Sequence, residues 1–215
     1  MSNEYATLTD IKATLTLTGE TFADADLRLG LTAASRAIDN ICERRFWLDT
    51  DATTVRYYTP TRRDARRILE IDDLVTFAAL DTDNDGDGVF ENSWTLYTDF
   101  VLEPLNGAED GLPYTLIRAL PQGTHMFPGG PRGIMPGGVI PRSVRVTGQF
   151  GWSSVPDEIQ QATVILAGRL TRRSREAPFG LIGFAMETGT NVASLSRTDP
   201  DVMMLLAPFR RHLVA

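Results

Sequence analysis

The sequence predicts an α+β fold, on three observations. Apolar residues recur at steps of three and four near both ends of the chain, which marks amphipathic helices. Between them, from Thr53 onward, the period falls to two in short runs rich in β-branched and aromatic residues. Third, the stretch from His125 to Arg142 carries Pro and Gly throughout and shows no period. The expected architecture is a small helical bundle body, a β-rich insertion, a Pro/Gly arm and an extended C-terminal docking tail.

The first elements are helical. Thr9 and Asp10 can cap a short helix carrying Ile11 and Leu15, with Gly19 at its end. A longer helix follows, with Leu27, Leu31, Ala34, Ile38, Ile41 and Cys42 on one face, Asp24 and Asp26 at its start and Arg44 and Arg45 at its end. Gly30 lies inside that pattern and costs about 1 kcal/mol relative to alanine. Small residues at Gly30, Ala33, Ala34 and Ala37 admit a close neighbour, and Gly168 in a later helix offers the same, so these two helices are expected to pack together. These N-terminal helices occupy residues 1–50.

Residues 51–152 form the β-rich insertion. Its strand candidates are TTVRYYT, RRILEI, VTFAAL, SWTLY, YTLIRAL and SVRVTGQFGW, separated by Pro, Gly, Asn and Asp. Between VTFAAL and SWTLY lies DTDNDGDGVFEN. There Asp81, Asp83, Asp85 and Asp87 crowd together, and the spacing of the first three before Gly86 matches the first half of a calcium loop. The second half departs, because Asn92 stands at the twelfth position and Glu91 falls one residue early. An acidic hairpin tip is the competing and favoured account. The Pro/Gly segment holds Met126, Phe127, Ile134, Met135, Val139 and Ile140, more apolar residues than a solvated linker carries. It is expected to protrude as an arm, with Phe127, Ile134 and Met135 as its contacts. A turn folded back on its own sheet is the alternative.

The helical period returns in residues 153–178. Ser154 and Asp157 read as a capping box, Pro156 suits the first turn, and Asp157 and Glu158 complement the helix dipole. Ile159, Ala162, Thr163, Leu166, Ala167 and Leu170 form the apolar stripe, and Arg169, Arg172, Arg173 and Arg175 crowd the C-terminal turns before Pro178 and Gly180. The last segment, residues 179–215, is the tail. LIGFAMETGTNVASLS has no helical period and is expected to run extended, as a strand added to a neighbour would. RTDPDVMMLLAPFRR then offers Asp199 as cap, Pro200 at the first helical position, Met203, Met204, Leu205, Leu206 and Phe209 as apolar anchors, and Arg210 and Arg211. A segment this apolar must be covered, by its own body or by a partner.

Composition narrows the function. The 215 residues are 42% hydrophobic, enough for one sizeable core, and the net charge of −7 argues against a general nucleic-acid binder. Lys12 is the only lysine, and Cys42, on the apolar face of a helix, reads as a buried structural thiol. The opening MSNEYATLTD has no basic start or apolar run, so neither a signal peptide nor a membrane span is expected. The two histidines, His125 and His212, lack partners at metal-ligand spacing, and no Walker loop, GxSxG elbow, HExxH or dinucleotide fingerprint occurs. The chain is therefore not expected to be an enzyme, and no cofactor is expected, with calcium at the acidic loop the one candidate. The arginine runs at Arg62, Arg63, Arg66 and Arg67 and at Arg172, Arg173 and Arg175 are expected to cap helix ends and pair with the surplus acids.

TLTDIKATL, AASRAIDNICERRF, GQFGW followed by PDEIQQATVILAGRL, and RTDPDVMMLLAPFRR resemble, in their order and spacing, the head-to-tail adaptor (head-tail connector) proteins of long-tailed bacteriophages. The resemblance covers both ends and the helix beginning near Pro156, and it leaves the acidic hairpin and the arm as variable insertions. It implies a structural virion protein, made in the host cytoplasm and resident in the neck. Such a protein forms a homo-oligomeric ring, commonly twelvefold, beneath the portal, and passes genomic DNA through its bore without sequence-specific binding. Its lower face receives a downstream head-closure or tail-completion protein, and the C-terminal segment reaches the portal. That docking falls here on Asp199, Pro200, Met203, Leu205, Leu206, Phe209, Arg210 and Arg211, so removal of the residues after Asp199 is expected to abolish attachment and leave the body folded. Net acidity suits a bore that lets DNA slide. The competing function is a calcium-dependent protein-binding module.

Overall fold

The computed structural model describes residues 3–16, 19, 21–60, 67–128, 140–176 and 199–211. Among these residues it is mixed, with four α-helices and a six-stranded antiparallel sheet, and so belongs to the α+β class. The chain divides into two units, residues 1–46 with 155–215, and residues 47–154.

The first unit contains α1 (Leu8–Thr16), α2 (Asp24–Cys42), α3 (Asp157–Glu176), α4 (Pro200–Leu206) and a closing 3₁₀ turn (Ala207–Phe209). The cap of α1 lies two residues before the expected Thr9. Thr7 Oγ1 accepts from Asp10 N (3.2 Å), and Asp10 Oδ2 accepts from Thr7 N (2.8 Å), a reciprocal capping box. The Thr7 hydroxyl and amide, with Gln160, hold the Asp10 carboxyl below its usual pKa. Ala6, Ile11, Leu15, Leu27, Leu31, Ala34, Val164 and Ala167 form the core of this unit.

The pairing of α2 with α3 uses Gly30 but not Gly168. A methyl built on Gly30 would lie 2.4 Å from Thr171 Oγ1 and 3.2 Å from the Ala167 carbonyl, whereas one on Gly168 meets nothing within 4 Å. The residue that lowers the propensity of α2 is thus the one that admits α3, and Gly168 takes no part in that contact. The two helices run antiparallel, since Arg175 lies over the Phe22 ring (5.3 Å) while Gly30 faces Ala167 and Thr171.

The second unit is the sheet, formed by β1 (Thr54–Tyr58), β2 (Ile68–Thr82), β3 (Asn92–Ser93), β4 (Phe100–Glu103), β5 (Tyr114–Ala119) and β6 (Val144–Phe150). The strand order is β1-β6-β2-β5-β4, with β3 pairing the end of β2. RRILEI and VTFAAL, expected as two strands, belong to one strand of fifteen residues. Its first half pairs with β5 and its second with β6, with a register shift between Glu70 and Leu74. Asp72 and Asp73 sit at the change of partner, where a bulge bends the strand. Leu69, Ile71, Leu74, Leu80, Trp94, Phe100, Ile117, Val144, Val146 and Phe150 supply much of the core, with alternation clearest in β6.

Phe127 is corrected by its position. Expected as a contact of a protruding arm, it is fully buried in this core and stacks on Trp94 at 4.8 Å, beside a second stacking contact from His125 at 5.3 Å. Burying a phenyl ring here contributes about 1.5–3 kcal/mol, which a protruding arm forgoes. The other two arm contacts, Ile134 and Met135, lie outside the described residues.

Candidate partner-binding surface

The C-terminal helix is built from its cap inward. Asp199 Oδ1 accepts from Asp201 N (3.0 Å), Pro200 occupies the first turn, and Asp199 Oδ2 takes a hydrogen bond from Arg169 (3.2 Å). Val202 and Leu206 are buried, and Phe209 meets Phe46 edge to face at 5.8 Å. The Arg211 amide donates to the Cys42 carbonyl (2.9 Å). The sequence-predicted anchors therefore divide. Leu206 points into the unit, Met203, Leu205, Phe209 and Arg211 are half-buried, and Pro200 and Arg210 are exposed. Met204 is the most exposed apolar side chain of the helix, at 70%.

A strap from the N-terminus supports the same corner. Tyr5 is buried, its hydroxyl donates to Asp39 and accepts from the Phe46 amide (2.9 Å), and its ring meets Phe46 edge to face (5.7 Å). Burial, then the Asp39 hydrogen bond, push the Tyr5 hydroxyl far above its ordinary pKa, so it stays a donor at any working pH. Cys42 is fully buried, and burial raises its thiol to about 11. It is a packing residue with little thiolate near neutral pH. Nothing in the helical periodicity signals the link from Tyr5 through Phe46 to Phe209, because the three rings come from distant segments.

The acidic turn takes a different set of residues from the expected one. Asp81 is not a member, since it accepts from Ser93 Oγ (2.6 Å) and from Arg145 (3.0 Å) at the base of the hairpin. Asp83, Asp85, Asp87 and Glu91 are grouped instead, with one carboxylate oxygen from each lying within 4.8 Å of the others. Asp83, buried beneath the turn, accepts from Gly86 N (2.6 Å) and Gly88 N (2.9 Å), while Asp85 accepts from Asp87 N and Asp87 from Val89 N. Burial by itself would raise the Asp83 pKa, but the amides of Gly86 and Gly88 outweigh it and hold the carboxyl below the usual range. A folded-state pKa below the unfolded one stabilises the fold above the unfolded value of about 3.9, and that contribution is lost as pH falls through the folded value. Asp83→Ala should therefore lower stability near neutral pH by about 1–2 kcal/mol and flatten the acid limb of the stability curve below about pH 4. Urea titrations across that range check it; an unchanged acid limb would remove Asp83 as its origin.

Several arginines serve the sheet unit from within. Arg56 bridges Asp49 (2.7 Å) and Asp72 (2.9 Å) and lies 4.1 Å from the Phe150 ring centre, while Arg145 lies over Phe90 at 4.6 Å. Arg62, Arg63 and Arg66 lie outside the described residues. In the helical unit an open groove of about 450 Å³ runs between α1 and α3, floored by Ile11, Leu15, Val164 and Ile165 and edged by Arg169, Arg172 and Arg173. Among the described residues no helix is long and apolar enough to cross a membrane.

Comparison with protein-family models and with curated protein sequences finds no match.

Proposed function

We propose that the protein is a structural head-to-tail adaptor of a long-tailed bacteriophage, a ring beneath the portal through which genomic DNA passes to a downstream head-closure or tail-completion protein. The helical unit is the ring-forming body, the sheet unit is an insertion in it, and the residues after Glu176 serve as docking tail. The observation that carries this reading is the α4 region. Both chain ends contribute to one helical unit, and its last helix is capped and anchored with one large apolar residue, Met204, left facing outward. An anchored helix presenting an exposed methionine is suited to a partner that covers it. The order of TLTDIKATL, AASRAIDNICERRF, GQFGW with PDEIQQATVILAGRL, and RTDPDVMMLLAPFRR supports the same reading.

Quantitative mass spectrometry on particles of the source phage tests it, comparing complete virions, DNA-filled heads without tails, and soluble lysate. A fixed copy number near that of the portal in both particle types is expected. Absence from the particles would sink the proposal.

A further inference from the structure

Leu29 of α2 offers a protruding apolar side chain, and Gly168 of α3 offers a gap. At about 100° per residue, Leu29 lies roughly 160–180° around α2 from Leu27, Leu31 and Ile38, which are buried. Leu29 is 71% exposed. Asp26 precedes it by one turn on that face, Ala33 follows by one turn, and Arg36, which meets Asp39 (3.3 Å) and the Asn3 carbonyl (2.8 Å) of its own chain, stands beyond. On α3, Glu158, Gln161, Ile165, Gly168 and Arg172 recur at steps of three and four and form one stripe, which includes part of the open groove. Gly168 is the low point of that stripe, with nothing within 4 Å of a methyl placed there.

We propose that the Leu29 face of α2 docks into the Gly168 groove of a second copy of this chain, with α2 antiparallel to the α3 it meets. This inference rests on the adaptor reading for its ring, and it names the surfaces that would make the ring. With Leu29 of one copy over Gly168 of the next, the antiparallel direction brings Asp26 to Arg172 and Ala33 to Ile165. The parallel direction instead brings Arg36 to the cluster of Arg172 and Arg175, like charges that oppose docking. Direction is therefore decided by charge, and it has a geometric consequence. Within one chain α2 and α3 are already antiparallel. An antiparallel contact between chains then sets α3 of one copy parallel to α3 of the next, as the small rotation between neighbours in a many-membered ring requires. The groove lies about 160° around α3 from Leu170, Thr171 and Ser174, which line a separate crevice with Asp26, Leu29, Gly30 and Ala33 of its own α2. Each copy thus has a donor face and a separate acceptor face, the heterologous arrangement that propagates and closes into rings.

The test uses the full chain. Leu29→Asp removes the donor face, and Gly168→Leu fills the acceptor groove while improving helix propensity, so both should keep the far-ultraviolet circular dichroism of the parent. Each should weaken self-association at least tenfold by sedimentation velocity. An equimolar mixture of the two should stop at a dimer, because only one good interface can form. Disulfide trapping gives a second readout. Asp26→Cys with Arg172→Cys in one chain should give a ladder of covalent oligomers on oxidation, whereas either substitution alone should give none, Cys42 being buried. No ladder at the highest soluble concentration would overturn the pairing, including the case in which the chain's own residues 177–198 cover the groove. Dimers from Asp26→Cys alone would also overturn it, in favour of a two-fold contact. The two proposals fail separately. A ladder from a protein absent from virions would leave the pairing and remove the adaptor reading, and a virion protein whose double variant assembles without trapping would do the reverse.

Discussion

Gly151→Ala is expected to unfold the sheet unit, with a loss on the order of 3–5 kcal/mol. Gly151 follows the last residue of β6 with φ of +117°, a conformation that side chains resist. A methyl there would stand 2.0 Å from the Trp47 carbonyl oxygen and 2.9 Å from Leu48 Cα. Those are backbone atoms and cannot rotate aside. The corner is also pinned on its other side, since the Gly151 amide donates to the Asp73 carbonyl (2.7 Å) and Trp152 Nε1 donates to Asp73 Oδ2 (2.9 Å). Gly88 separates the two contributions. Its φ is +90°, but a methyl there meets nothing within 4 Å, so Gly88→Ala should show the conformational cost alone, about 1 kcal/mol. Tryptophan fluorescence reads the sheet unit selectively, because all three tryptophans, Trp47, Trp94 and Trp152, belong to it. Equal urea midpoints for the two variants would show that the Trp47 contact is not what demands glycine.

That corner also shows where the sequence is legible and where it is not. GQFGW announces a strand ending at a glycine, which is local information, and β6 ends at Phe150. What the glycine avoids is the Trp47 backbone, about a hundred residues away in sequence, and no local pattern contains that. The same divide separates β2 from its expectation. Asp72 and Asp73 in succession are turn chemistry when read alone. In the fold Asp72 meets Arg56 (2.9 Å) and the Tyr58 hydroxyl (3.1 Å), and Asp73 meets Trp152, so acids that would break a strand sit at a bulge within one. β4 carries a weaker signal: Phe100 and Leu102 alternate with Val101 and Glu103 before Pro104, but four residues give the period little room. The acidic turn was legible as a hairpin tip from its Asp and Gly content. Its membership was not, because Asp81 lies within the spacing of a calcium loop yet is drawn to Arg145, a residue of a strand 64 positions later. Among the proposed docking residues, the cap at Asp199 follows from sequence, whereas the inward turn of Leu206 depends on what surrounds it.

Leu206→Ala and Met204→Asp should separate folding from docking in the C-terminal helix. From the sequence alone, the residues after Asp199 are expected to be removable with the body intact. The structure gives the opposite expectation. Leu206 is fully buried and Val202 nearly so, Phe209 packs on Phe46, and the Arg211 amide reaches the Cys42 carbonyl. Leu206→Ala should therefore cost the helical unit about 2–5 kcal/mol, and removal of the whole segment should cost more. The unit holds no tryptophan, so its unfolding is followed by circular dichroism at helical wavelengths. Met204, two residues away, points outward and can take a charge, so Met204→Asp should stay within about 0.5 kcal/mol of the parent. If α4 is the portal-docking element, that same variant should nonetheless lose portal attachment by at least tenfold in co-sedimentation with portal rings, because it places a carboxylate in an apolar contact. A stable Met204→Asp protein that binds the portal as well as the parent would confine α4 to the core of its own unit and move the docking surface elsewhere. A Leu206→Ala protein of unchanged stability would instead show that α4 can leave its seat freely, restoring the tail as an independent element.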